Sequence, residues 1–166
     1  MQKGNRLQGK QRNISFFLPV LLVVAADQLS KTWIRSNLTV GQSLFELGFF
    51  RITRLPPHTG AAFGLFQGHS LALTIIGSIG AAALLVYALF FYRFFPFLNN
   101  RLSNSALGLI LGGTVGNLID RFFFEGVTDF IIIGIWPAFN IADSAIVVGT
   151  IIFAYILLRL SRAEKH

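Results

Sequence analysis

Four stretches of this chain are apolar and long enough to cross a bilayer: about Ile14 to Ile34, Leu71 to Tyr92, Ser105 to Phe124 and Phe139 to Leu160. Each approaches the roughly 20 residues a helix needs to traverse a hydrocarbon core of about 30 Å. Between the first two, residues 36–70 alternate in part, with Leu44, Leu47, Phe49, Ile52 and Leu55 set among Glu46, Arg51 and Arg54 until Pro56-Pro57 ends the pattern. That predicts a short antiparallel β element on the membrane surface. Pro96, Asn99 and Asn100 break the chain between spans two and three. The segment from Phe122 to Pro137 is unusually apolar for a loop, and its Trp136 predicts that it lies in the interface. The expected fold class is an all-α membrane protein: a four-transmembrane-helix bundle, residues 1–166 as a single domain, with a small outer-face β element between helices 1 and 2.

Composition agrees, since 54% of the 166 residues are hydrophobic and the mean hydropathy is +0.65. No ordinary soluble domain of this size is so apolar. Orientation follows from the basic residues, which cytoplasmic loops retain. Lys3, Arg6, Lys10, Arg12, Arg93, Arg101, Arg159, Arg162 and Lys165 all fall on one side, which makes nine of the fourteen Lys and Arg. Both termini are therefore expected in the cytoplasm. The net charge of +7 then reads as a topology signal with some attraction to anionic phospholipids, and no nucleic-acid partner is expected. Val24-Ala25-Ala26 imitates a signal cleavage site, yet the basic C-terminal tail favours an even number of spans. The first stretch is expected to stay as a span. The chain has no cysteine, which removes disulfides, thiolate catalysis and Cys-ligated metal.

Three of the four aspartates, Asp27, Asp120 and Asp143, lie inside the spans, and intramembrane acids usually mark function. Counted from the cytoplasmic ends at 1.5 Å per residue, their depths are roughly 20, 22 and 24 Å. One polar layer near the outer face results. Two of them end matching motifs, Asn117-Leu118-Ile119-Asp120 and Asn140-Ile141-Ala142-Asp143. Positions three apart share a helical face, so each carboxylate is expected to receive its own Asn amide. Two carboxylates in a partly dry site share a proton, and such a pair can activate water and protonate a leaving amine. Asp120 and Asp143 are the predicted dyad.

Other residues keep two readings. Asp27 is either a helix-end charge paired with Lys31 or a positioning group. Arg121 is a snorkelling anchor or a partner for a carboxylate. Asp129 serves a turn or strand end, or acts directly. Gly108, Gly112 and Gly116, four apart with Gly113 beside them, predict close helix packing. Two rival functions share the intramembrane acids: a proton-coupled carrier and a metal-dependent lipid phosphotransferase. The carrier needs a path across the membrane, and the transferase needs clustered carboxylates where these are spread over three spans. No cofactor and no metal are expected.

Taken together, Asp27-Gln28-Leu29-Ser30-Lys31, Gly60-Ala61-Ala62-Phe63, Gly112-Gly113-x-x-Gly116-Asn117-Leu118-Ile119-Asp120-Arg121, Val127-x-Asp129-Phe130 and Phe139-Asn140-x-Ala142-Asp143 resemble the bacterial lipoprotein signal peptidase family, signal peptidase II. The resemblance implies a four-helix inner-membrane aspartic endopeptidase with an outer β-cradle. Its dyad would fall on Asp120 and Asp143, with Asp27, Asn117, Arg121, Asn140 and Ala142 in support. It also implies that a diacylglyceryl-modified prolipoprotein is cut before its lipobox cysteine, that globomycin-type inhibitors occupy the site, and that the site lies near the periplasmic face. A monomer is expected. One position departs from the family, which usually has Asn where this chain has His58. An imidazole can donate and accept a hydrogen bond but titrates near neutral pH, so the role of His58 is open.

Overall fold

A computed structural model describes residues 2–58, 70–94, 100–124 and 126–163. The Gly60-Ala61-Ala62-Phe63 motif lies outside the described residues. Four helices among them are long and apolar enough to cross a membrane. They are α1 (Gln2–Asn37), α2 (Ser70–Val86), α3 (Arg101–Phe123) and α4 (Ile141–Ala163). A π-helical turn at Tyr87–Phe91 and a 3-10 turn at Tyr92–Phe94 prolong α2, so the predicted second span holds its length.

Helix α3 is the centre of the bundle. Its apolar window is 61% buried within the protein, against 17%, 11% and 22% for α1, α2 and α4. The outer three turn Leu21, Leu29, Ile76 and Ile151 outward, as a lipid solvent requires. The glycines of α3 make its central place possible. A methyl group at Gly108 would strike the Phe16 carbonyl and one at Gly112 would meet Val23, both on α1. A methyl group at Gly113 would strike the Ala142 carbonyl of α4. Small residues let backbones approach where no hydrophobic effect drives helices together.

Pro19 inside α1 shows the same economy. Proline donates no hydrogen bond to the carbonyl four residues back, which here belongs to Ser15. Ser105 Oγ of α3 donates to that carbonyl at 3.2 Å. Asn100 caps α3, accepting from Ser103 N at 2.9 Å.

A sheet of three antiparallel strands sits at the other end: β1 (Ser43–Leu47), β2 (Phe50–Thr53) and β3 (Ile131–Ile133), in the order β1-β2-β3. Gly48, at φ 56, opens the two-residue turn between β1 and β2, a conformation that costs glycine little. The hairpin matches the predicted β element. The third strand was not predicted, because it comes from the apolar segment between α3 and α4. Its alternation is hidden in Ile131-Ile132-Ile133, where every side chain is apolar. Trp136, which follows, is 59% exposed. Arg54 joins sheet to bundle by donating Nη1–H to the carbonyls of Arg35 (2.7 Å) and Leu38 (2.5 Å), two groups that the end of α1 leaves without helical donors.

Candidate active site

Helix α4 starts at the site and is anchored by three side chains from separate elements. Asn140 is its N-cap: its Oδ1 accepts from Asp143 N at 2.9 Å, and Asp143 Oδ2 accepts from Asn140 N at 3.2 Å. This is a reciprocal capping box, with Asp standing three residues after the cap. The next free donor, Ala142 N, is taken by Asp27 Oδ1 of α1 at 3.0 Å. Asp143 Oδ1 accepts from Asn117 Nδ2 of α3 at 2.7 Å.

Beneath that lies an ion network centred on buried groups. Lys31 and Asp27, both 0% exposed, pair at 2.8 Å one turn apart on α1. Lys31 Nζ also reaches Asp120 Oδ2 at 3.3 Å and donates to Asn117 Oδ1 at 3.0 Å. An ammonium has three protons to share, and three side-chain oxygens lie within 3.3 Å of this one. Asp120 has further donors: Arg35 Nη1 donates to Oδ1 at 3.1 Å, Thr128 N to Oδ2 at 2.9 Å, and Gln28 Nε2 approaches Oδ1 at 3.4 Å.

Asp129 lies two residues before β3, in the extended stretch that runs beside the chain leaving β2, where Leu55 N donates to its carbonyl at 3.4 Å. Its Oδ1 accepts from Asn140 Nδ2 at 2.7 Å, and its Oδ2 lies 2.8 Å from His58 Nε2. His58 is pinned by backbone bonds to Val127 in both directions, at 3.1 and 3.0 Å. The hydrogen bond that His58 donates to Asp129 raises the imidazole pKa above its ordinary value, against an opposing push from burial.

These groups form the polar wall of a cavity of about 750 Å³ between α2, α3 and α4. His58, Asn117, Arg121, Asp129 and Asp143 line it on one side, and Leu73, Ile76, Val147 and Val148 on another. Asp120 does not line it. Arg121 feels the charges of Asp143, Asp120 and Asp129, and its buried Nε has no protein partner among the described residues. No group of three or more His, Asp or Glu side chains among the described residues has the geometry to hold a metal ion.

The profile of the family described as signal peptidase (SPase) II matches residues 19–159. The chain belongs to the signal peptidase II family. Signal peptidase II is an aspartic peptidase, and relatives agree with the assignment. A lipoprotein signal peptidase of Dehalococcoides mccartyi is 48% identical over 140 residues, covering 84% of this chain and 86% of its own. One of Moorella thermoacetica is 44% identical over 144 residues, covering 86% and 92%. A solved bacterial membrane enzyme, determined by the in meso method at 2.3 Å resolution, superposes with a TM-score of 0.76 at 32% identity, covering 86% of each chain.

For a signal peptidase II, the predicted site residues converge, but their partners differ from the prediction. The two Asn-x-x-Asp motifs are not self-contained pairs. Asn117 serves Asp143 on the neighbouring helix, and Asn140 precedes its helix and caps it. Asp27 pairs with Lys31 as one reading expected, though inside α1 and not at its end, and its other oxygen accepts from Ala142 N at the start of α4. Gly116 and Ala142 are contact points: a methyl group at Gly116 would meet Asp27 Oδ2 at 2.7 Å and Ala142 Cβ at 3.3 Å. Asp129 is a cavity residue. Lys31 was visible as a partner of Asp27, whereas Arg35, Gln28 and Thr128 were missed. The four-residue spacing of Asp27, Lys31 and Arg35 on one helical face was the available signal for Arg35.

Proposed function

We propose that this signal peptidase II removes the signal peptide from lipid-modified prolipoproteins, cutting on the amino side of the modified cysteine, and that its catalytic pair is Asp129 with Asp143. One observation carries the choice of pair. Asn140 donates to both carboxylates, through Nδ2 to Asp129 and through its backbone N–H to Asp143, at the wall of the cavity. Asp120 is the weaker candidate on physical grounds. Lys31 and Arg35 neutralise it, Thr128 N holds it, and a fully buried carboxylate so engaged has no lone pair left for water. Its role is to position Lys31 and the loop that carries Asp129.

The dyad shares one proton. Water gives its proton to the ionised carboxylate as its oxygen bonds to the scissile carbonyl carbon, and the protonated carboxyl gives its proton to the carbonyl oxygen. Collapse breaks the C–N bond. The amine takes the proton from the first carboxyl, the second recovers its own, and the dyad returns to its starting state. Arg121, with a buried donor to spare, is placed to hold a substrate carbonyl.

The apolar wall from α2 and α4 suits the hydrophobic helix of a signal peptide, and its opening between helices suits entry from lipid. Together with the basic residues at the opposite end, the polar layer supports a site near the periplasmic face of the inner membrane. Acyl chains would then stay in the bilayer while the scissile bond meets water. Phospholipids would surround a monomer, and a globomycin-type inhibitor would compete for the same cavity. Neither a carrier nor a phosphotransferase has an observation of its own in favour.

The test is processing of one precursor by the purified protein in lipid, with and without the diacylglyceryl group on its cysteine. The modified form is expected to be cut and the unmodified form spared. Equal cleavage of both would refute the substrate assignment.

A further inference from the structure

Asp129 and Asp143 each accept two hydrogen bonds, so bond count alone does not distinguish them. Asp143 receives Asn117 Nδ2 and Asn140 N, both neutral. Asp129 receives neutral Asn140 Nδ2 and faces His58 Nε2 at 2.8 Å. A protonated imidazole would add a full positive charge to that bond, and charge-assisted hydrogen bonds are roughly twice as strong as neutral ones. The other charged groups that act on His58 are Asp143 at the start of α4 and Arg121 at the end of α3. Backbone bonds to Val127 in both directions and the close approach of Gly126 to the His58 carbonyl fix the main chain at the cavity wall, and Asp129 Oδ2 meets the ring there.

We propose that His58 is a positioning residue of this dyad: as an imidazolium it donates Nε2–H to Asp129 Oδ2, keeps that carboxylate ionised as the base toward water, and leaves the shared proton on Asp143. It rests on Asp129 and Asp143 being the catalytic pair. His58 itself neither gains nor loses a proton during turnover. An asparagine at this position could donate the same hydrogen bond but would bring no charge, so a histidine makes the division of roles depend on pH.

The direction is fixed. Below its raised pKa the imidazole is charged and Asp129 is held ionised; above it the ring is neutral and that bias is gone. The wild-type kcat/KM for a lipidated precursor is therefore expected to fall about tenfold as pH rises through the imidazole titration, the difference between a charge-assisted and a neutral hydrogen bond to Asp129. His58→Asn should lack that alkaline limb, and its acid limb should move to higher pH. A merely structural role would lower activity equally at every pH. His58→Gln provides a second neutral variant should His58→Asn fail to fold.

NMR titration of the His58 ring, compared between wild type and Asp129→Asn, reads the pair directly; its pKa should drop toward the ordinary imidazole value when the carboxylate is removed. Superimposable pH profiles of wild type and His58→Asn, with Asp129→Asn inactive, would overturn the role of His58 and leave the dyad standing. An active Asp129→Asn would overturn the dyad, and with it this role.

Discussion

Asn117 and Asp143 meet across the interface of α3 and α4, the amide Nδ2 donating to carboxylate Oδ1 at 2.7 Å. The amide has only one sensible orientation. Its Oδ1 accepts from Lys31 Nζ and Asn140 Nδ2, and neither of those can accept in return. A buried lysine on α1 thereby aims a donor at a carboxylate on α4. Hydrogen bonds to charged groups are worth about 1.5 to 3 kcal/mol, so Asn117→Leu should slow processing about 10- to 100-fold. Initial rates in membranes at matched abundance would measure it. A rate near wild type would mean that Asp143 is held adequately by its cap alone.

Lys31 is the hub of the network, paired with Asp27 and Asp120 and wholly buried. Removing one member of a buried ion pair strands the others at a cost of about 3 to 5 kcal/mol. Lys31→Met should lower the thermal unfolding midpoint markedly in detergent. Pairing it with Asp27→Asn should recover part of the loss, because one stranded charge is then gone. An unchanged midpoint in the single variant would show that water reaches the network.

Gly113 touches α4 where a side chain would strike the Ala142 carbonyl. Gly113→Ala must push the start of α4 away, and with it Asp143. Overpacking of this kind typically costs about 1 to 3 kcal/mol. The expected outcome is a protein that inserts in the membrane at ordinary levels and processes precursor slowly. Full activity would mean that the dyad tolerates a displaced helix.

The His58 and Asp129 pair also links stability to pH. Because the folded imidazole pKa is raised, its contribution is complete below the ordinary imidazole pKa and disappears as pH rises through the folded value. The gap in thermal midpoint between wild type and His58→Asn should therefore be largest in acid and close on the alkaline side. A gap independent of pH would show that the ring stabilises by packing alone.

The spans were legible because each is a continuous apolar run, and lipid permits few alternatives to a helix. The hairpin was legible from its alternation, while β3 was hidden in an all-isoleucine strand. The acids at membrane depth were conspicuous, and the structure brings Asp27, Asp120 and Asp143 together around Lys31, Asn117 and Asn140. Their roles were not legible. A repeated Asn-x-x-Asp looks like two equivalent pairs, yet one copy lies within α3 and the other straddles the start of α4. An Asn three residues before an acid, just ahead of an apolar run, is a cap signature and was available in the sequence. What no local pattern reveals is which cations reach Asp120 from α1, and those contacts are what set it apart from Asp129.

Processing of a lipidated precursor by Asp129→Asn, Asp143→Asn and Asp120→Asn, scored per folded molecule, tests the central claim most directly. Asp129→Asn and Asp143→Asn should fold and cut nothing, whereas Asp120→Asn should be less abundant but retain turnover once folded. Turnover by a folded Asp129→Asn protein, alongside a folded and inactive Asp120→Asn, would contradict the account.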